Sequence, residues 1–102
     1  MVDFVGGSVW GRFDSSPAIV AQSGGFASIV RAGAGVYHIA RAANTRGWTA
    51  ADTMVFCQPE GAAAVLCTVN IVSAEQIDVD CFNVAGAGVD VPTFSLMVQV
   101  IE

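Results

Sequence analysis

The chain contains no lysine and little positive charge of any kind. Its cations are Arg12, Arg31, Arg41 and Arg46, set against nine acidic residues, so the formal net charge is −5 at pH 7. Proteins that bind nucleic acid need clustered positive charge to neutralise phosphates, and anionic membrane surfaces attract polybasic segments. The sequence therefore predicts neither a nucleic-acid partner nor a membrane partner.

Long hydrophobic runs are missing as well. No apolar stretch approaches the roughly 20 residues that a membrane-spanning helix requires. The N-terminal stretch MVDFVGGSVWGRFD carries an acid where a secretory signal has basic residues, and no long apolar segment follows it. We therefore expect a soluble protein that is made in the cytoplasm.

Cysteine and histidine are too few and too scattered for a zinc site. Cys57, Cys67 and Cys81 form no C-x-x-C pair, and the single histidine, His38, lies far from them in sequence. Zinc sites need four nitrogen or sulfur ligands at recognisable spacings. The sequence predicts buried free thiols that act as small apolar side chains, with one disulfide plus a spare thiol as the alternative. We expect no metal and no cofactor.

A recognisable catalytic motif is also lacking. His38 could act as a general base near neutral pH, but no G-x-S-x-G sequence marks a nucleophile. Asp78 and Asp80 share one strand face near Glu75, and paired carboxylates can hydrolyse glycosides or hold calcium. Neighbouring acids on a strand more often form a solvated face that resists aggregation. We expect no enzyme, and a small hydrolase that uses His38 or the aspartate pair is the alternative.

Helical periodicity is almost absent, whereas strand patterns are frequent. Short β-branched and aromatic runs alternate with Gly, Pro, Asn, Asp and Ser, and near the C-terminus Phe94, Leu96, Val98 and Val100 share one face of a strand. These patterns predict an all-β fold, an antiparallel, jelly-roll-like β-sandwich of about eight short strands. The predicted strands are residues 8–13, 18–22, 26–31, 36–41, 53–58, 64–72, 76–83 and 93–101.

The first 25 residues are less regular than the rest, because glycine and serine clusters interrupt them. We therefore divide the chain into an N-terminal segment, residues 1–25, and a β-sandwich domain, residues 26–102. The N-terminal segment is either an arm that lies on a neighbouring subunit or the first strands of the sandwich.

The pentapeptide AGAGV occurs twice, at residues 32–36 and 85–89. A phosphate-binding glycine loop would need a following helix and, in the P-loop, a lysine. Strand patterns follow both copies instead, and glycine supplies the positive φ of tight turns between strands. The sequence predicts a turn that is used twice, rather than a phosphate site or an internal repeat.

Apolar residues are what the chain has in excess. They make up 54% of it, and charged residues make up 13%, against roughly 45–50% and 25% in typical domains. A domain this apolar is expected to cover part of its surface with a partner. Trp48 lies two residues after Arg46 in a predicted loop, a composition typical of a hot spot for protein or sugar, unless Trp48 folds back and caps the sandwich. The candidate interface residues are Trp10, Arg12, Phe13, Arg46 and Trp48.

The order of short motifs resembles that of a known group of modules. A glycine turn leads into GVYHI, a strand breaks at QPEG, the alternating run IDVDCFN follows, and a glycine-containing loop leads through Asp90 into TFSLMV. From about residue 26 to residue 101 this order is similar to small β-sandwich modules in virion proteins of tailed bacteriophages. Those proteins include fibre and spike heads and the proteins that decorate capsids.

The resemblance implies a structural function. The chain lacks the long repetitive shaft of a fibre, so it looks more like a capsid decoration or cement protein. Such proteins bind the outside of the capsid at threefold positions, often as trimers, and stabilise the shell. We therefore expect a homotrimer in the virion, with the major capsid protein or another virion protein as its partner. The alternative is a carbohydrate- or receptor-binding fibre or spike head.

Overall fold

The computed structural model describes residues 8–43, 47–49, 51–61 and 64–100, and it confirms the predicted all-β sandwich. No strand end differs from its predicted position by more than two residues. The strands are β1 (Ser8–Asp14), β2 (Ala18–Gln22), β3 (Phe26–Gly33), β4 (Val36–Arg41), β5 (Thr53–Glu60), β6 (Val65–Ser73), β7 (Gln76–Asn83) and β8 (Thr93–Val100).

The eight strands form two four-stranded antiparallel sheets. The first sheet has the order β2-β1-β8-β5, and the second sheet has the order β3-β4-β7-β6. Because β1 pairs with both β2 and β8, the described part of the N-terminal segment supplies strands of the sandwich, the second of the two alternatives for it. Residues 1–7 lie outside the described part of the chain.

Alternation along the strands builds one core between the two sheets. In β8, for example, Phe94 and Leu96 are buried whereas Met97 is exposed. Aromatic rings from both sheets meet in the centre of this core. Phe13 stacks on Phe94 with ring centroids 5.4 Å apart, and Tyr37 lies 5.2 Å from Phe94. This packed aromatic centre fixes which face of each strand points outward.

The two AGAGV copies form turns, as predicted, and they also meet each other. The first copy contains the β3–β4 turn, and the second lies in the loop between β7 and β8. The backbone N–H of Cys81 donates to the carbonyl oxygen of Gly35 at 2.7 Å, and the N–H of Val89 donates to that of Cys81 at 3.1 Å. Gly35 and Gly86 have φ of +73° and +88°, a conformation that favours glycine. The loop before β8 and the β3–β4 turn are therefore both hydrogen bonded to Cys81 of β7.

Candidate functional site

Three large apolar side chains lie in register across the outer face of the first sheet. Met97 in β8 is the cross-strand partner of Trp10 in β1 on one side and of Phe56 in β5 on the other. Trp10 is 48% exposed, Met97 44% and Phe56 51%. Directly opposed side chains in neighbouring strands are about 5 Å apart at Cβ, so the three form one continuous strip. We call it the apolar row.

Strand alternation explains why these side chains point outward. The inward positions of the three strands belong to the core, so the residues between them must face the other way. In a sheet with one solvated face the outward positions are usually polar. Here the outward position at one register is apolar in three adjacent strands, which is typical of a face that is covered.

An ion pair borders the apolar row on the same face. Both guanidinium Nη atoms of Arg12 donate to the Glu60 carboxylate at 2.5 Å, and Thr93 Oγ1 donates to Glu60 Oε1 at 3.3 Å. The hydrogen bond from Arg12 lowers the pKa of Glu60 and raises the pKa of Arg12 itself. Arg12 and Glu60 are both half-exposed, so the pair forms a charged rim beside an apolar centre.

A groove of about 630 Å³ runs beside the apolar row and Arg12. Arg12, Gln58 and Ser95 line it together with the apolar row, and it continues past β5 to Cys67 and Val69 of β6. A groove of this size lies within the range of small-ligand sites, which combine apolar walls with a few polar groups. The face could therefore take either a protein surface or a small polar ligand.

The structure separates the five predicted interface residues. Trp10 and Arg12 lie together on the outer face, whereas Phe13, the residue after Arg12, points inward and is fully buried. Trp48 is buried as well, with its ring 6.0 Å from that of Phe26, so it caps the sandwich, as the alternative proposed. Arg46 lies outside the described residues.

Sequence reasoning missed Phe56 and Met97. Both occupy outward positions between inward-facing neighbours, and that alternation was readable in the sequence. The signal that could have found them is a large apolar residue on the polar side of an alternating strand. Their alignment with Trp10 depends on the strand order, which brings β1 and β5 to either side of β8.

His38 and the aspartate pair lie on the outer face of the second sheet. His38 is the cross-strand partner of Asp78, with His38 Nε2 3.8 Å from Asp78 Oδ1. Gln76 donates to the same Asp78 oxygen at 2.8 Å, and Asp80 is exposed opposite Thr68 of β6. Among the described residues, no group of three or more His, Cys, Asp or Glu side chains is placed to hold a metal ion.

The three cysteines are free thiols that lie towards the core. Cys67 and Cys81 are cross-strand partners, and the Cys67 thiol donates to the Cys57 carbonyl oxygen at 3.3 Å. Burial raises the pKa of Cys81 to about 11 and also raises the pKa of Cys57. Protonated thiols are weak nucleophiles, so the structure gives Cys57 and Cys81 the character of small apolar side chains.

Asp90 holds the loop before β8 in place, and sequence reasoning assigned it no contact. Its carboxylate accepts hydrogen bonds from Arg31 Nε at 3.0 and 3.1 Å, from the Gly35 N–H at 2.9 Å and from the Tyr37 hydroxyl at 2.6 Å. These bonds, that from Arg31 first, keep the pKa of Asp90 well below its usual range. Burial, followed by the hydrogen bond to Asp90, raises the pKa of Tyr37. The cluster joins the loop before β8 to the β3–β4 turn.

No helix in the described part of the chain is long and apolar enough to cross a membrane. A comparison of the chain with protein-family models, with curated proteins and with solved structures found no match.

Proposed function

We propose that this chain is a structural virion protein. In this proposal it self-associates through the apolar row and binds the outside of a phage capsid to stabilise it. The observation that carries the proposal is the alignment of Trp10, Met97 and Phe56, each about half exposed, in one strip on the outer face of the first sheet.

The energetics of the apolar row support association. Complete burial of a side chain of this size contributes about 1.5–3 kcal/mol, so the exposed halves of three such side chains hold roughly 2–4 kcal/mol per copy. Tryptophan, phenylalanine, methionine and arginine are the residues enriched at interfaces, and the Arg12–Glu60 pair supplies a polar rim. Several copies that pack these faces together would bury the strip from all sides.

The copy number and the shell partner rest on the resemblance to capsid decoration proteins, which implies a homotrimer bound at threefold positions. The composition agrees with such a role, since the chain is small, acidic and rich in apolar residues. Arg12 and Arg31 are both at least partly exposed, yet each is paired with an acid of this chain. We therefore assign attachment to apolar and backbone contacts more than to free charge.

The test is the mass of the protein in solution, measured by light scattering over a range of concentrations. We expect the wild type at three times the mass of one chain, and we expect Phe56→Glu no longer to form this trimer, because a carboxylate cannot be buried in the strip without a partner. Val30→Glu is the matched control, since Val30 is 55% exposed on the outer face of the second sheet.

A wild type that stays monomeric at high concentration would contradict the proposal, as would an equal loss of association in both variants. If the trimer is found, co-sedimentation with phage capsids from the same source tests whether the protein binds the capsid. Protein that pellets with capsids, and a Phe56→Glu variant that does not, is the expected outcome.

A second candidate is a carbohydrate- or receptor-binding module, and the exposed indole of Trp10 in the groove favours it. Sugar rings stack on aromatic faces, and Arg12, Gln58 and Ser95 could bind hydroxyl groups. Because Trp48 is buried, a fluorescence change on titration with bacterial surface oligosaccharides would report Trp10. For this function the change must persist in Trp48→Phe and disappear in Trp10→Phe. If no oligosaccharide alters the fluorescence spectrum, the carbohydrate-binding function is contradicted.

A further inference from the structure

The outer strand of the second sheet has an unusual edge. β6 pairs with β7 on one side, and no strand of the described chain pairs with its other side. Its sequence, VLCTVNIVS, contains no charged residue and no proline, and its pairing with β7 is regular from Val65 to Ile71. A long, regular and uncharged edge is a template for another strand, because a row of backbone N–H and C=O groups is unpaired.

Other edges of the sandwich are protected. β3, at the opposite edge of the second sheet, contains Arg31 and has register irregularities at both ends. β2 is five residues long and its pairing with β1 is also irregular. β5 carries Pro59 and Glu60, and its Cys57 carbonyl already accepts the Cys67 thiol. These are the features by which proteins block pairing at an edge. β6 has one of them, a register shift against β7 between Ile71 and Ser73, and it has no charged residue and no proline.

The core is less completely covered along β6 than along β7. The inward side chains of the neighbouring strand β7 are fully buried, whereas those of β6 are only partly buried. The partly buried side chains are Val65, Cys67, Val69 and Ile71. A further strand placed against β6 would cover this side of the core.

The sequence of β6 is complementary to itself in the antiparallel direction. If two copies pair with Val69 opposite Val69, Leu66 of one lies opposite Val72 of the other, and Thr68 lies opposite Asn70. Leu66 and Val72 are 55% and 51% exposed, and a cross-strand contact between them would remove part of each side chain from solvent. Thr68 and Asn70 can hydrogen bond on the same face, and no like charges meet anywhere in the strand.

We propose that a second copy of this chain pairs with β6 across a twofold axis at Val69, which joins two second sheets into one continuous eight-stranded sheet. This contact uses a different sheet, a backbone edge and a different symmetry from those of the apolar row, although Cys67 and Val69 of β6 also line the groove beside that row. It does not depend on the proposed function.

The test uses Leu66→Lys, with Val30→Lys as its matched control. Both positions are 55% exposed on the outer face of the second sheet, but they lie on opposite edge strands. The twofold axis places two introduced lysines in the same interface, so Leu66→Lys should raise the dimer dissociation constant at least tenfold. Thr68→Lys, at a polar exposed position of the same strand, should do the same.

The measurements are sedimentation equilibrium and hydrogen exchange of the β6 amides in the Phe56→Glu background, where the apolar row no longer associates. We expect dimers at high concentration, with slower β6 exchange as concentration rises, and monomers after Leu66→Lys or Thr68→Lys. A Phe56→Glu protein that is monomeric throughout, with β6 exchange independent of concentration, would overturn the inference. Equal weakening by Val30→Lys would also overturn it.

The outcome also separates the two interfaces. A wild-type protein that forms β6-dependent dimers, with no effect of Phe56→Glu, would refute the proposed function and leave this inference standing. A wild-type trimer that Phe56→Glu converts to monomers, with no dimers at any concentration, would support the proposed function and refute the pairing through β6.

Discussion

Gly35→Ala is expected to lower the free energy of unfolding by about 3 kcal/mol, one of the largest effects of a single methyl group in this chain. Gly35 has a φ of +73°, which costs other residues roughly 1–2 kcal/mol. A Cβ at this position would lie 2.7 Å from the Val89 carbonyl oxygen and still closer to that of Cys81. Backbone atoms cannot move aside as a side chain can, and overpacking adds about 1–3 kcal/mol.

The other glycines of the two AGAGV copies form a matched set of controls. Gly33 has neither restriction, since its φ is ordinary and nothing lies within 4 Å of an added Cβ. Gly86 has the positive φ of +88° but open space around it, whereas Gly88 has an ordinary φ but meets the Ala34 carbonyl oxygen closer than 3.0 Å. Alanine should therefore be harmless at Gly33, intermediate at Gly86 and Gly88, and worst at Gly35.

Thermal unfolding of the four alanine variants measures this order. A loss of 3 kcal/mol corresponds to a Tm lowered by roughly 15 °C in a domain of this length. If Gly33→Ala destabilised the protein as much as Gly35→Ala, the contact between the two turns would not be the cause. If Gly88→Ala did not change the Tm, this would contradict the close contact between Gly88 and the Ala34 carbonyl oxygen.

Asp90→Ala is expected to destabilise the protein by about 2–3 kcal/mol. The change removes the acceptor for the Gly35 N–H and for the hydroxyl of Tyr37, a residue that is fully buried. A buried donor without a partner costs about 1–3 kcal/mol. We discount the contribution of Arg31, because the ion pair between Arg31 and Asp90 is partly exposed to solvent.

The same carboxylate makes stability depend on pH. The pKa of Asp90 is lowered in the folded protein, so the unfolded chain binds the proton more readily. The stabilisation is therefore complete above the ordinary aspartate pKa, near 4, and is lost as pH falls through the lower pKa of the folded state. Urea unfolding should show that the free energy of unfolding of the wild type falls between pH 7 and pH 3. The fall should be smaller in Asp90→Asn.

Asp90→Asn is also the conservative control for the alanine change. Its side-chain oxygen can still accept from the Tyr37 hydroxyl and the Gly35 N–H, so it should destabilise less than Asp90→Ala at pH 7. A wild type and an Asp90→Asn variant with identical pH profiles would show that Asp90 has an ordinary pKa, against the cluster described above.

The strands could be predicted from the sequence because their signals are local. Residues such as Phe94 and Leu96 alternate with Ser95 and Met97. This two-residue period indicates both that the segment is a strand and which of its faces is buried. Turn residues between the runs set the strand ends, which is why the predicted ends differ so little from the observed ones.

The candidate site could be predicted only in part, because it combines residues from three strands that are distant in sequence. Trp10 and Arg12 were predicted as interface residues, and they lie on the outer face beside Met97 and Ser95 of β8. Phe13 was grouped with them by sequence proximity, although alternation turns its side chain into the core. Trp48 lies in a loop, where no periodicity predicts which way a side chain points. Its burial is explained only by its packing against Phe26.

The sequence by itself determined the all-β class, the eight strands and the two AGAGV turns. Each of these depends on neighbouring residues or on composition alone. Only the tertiary structure decided that β8 lies between β1 and β5, that Asp90 reaches the first turn, and that β6 ends the second sheet. The reason is that pairings between residues as far apart in sequence as Glu60 and Thr93, or Ser8 and Gln99, are chosen by the shape and burial of the whole core. No local pattern encodes that choice.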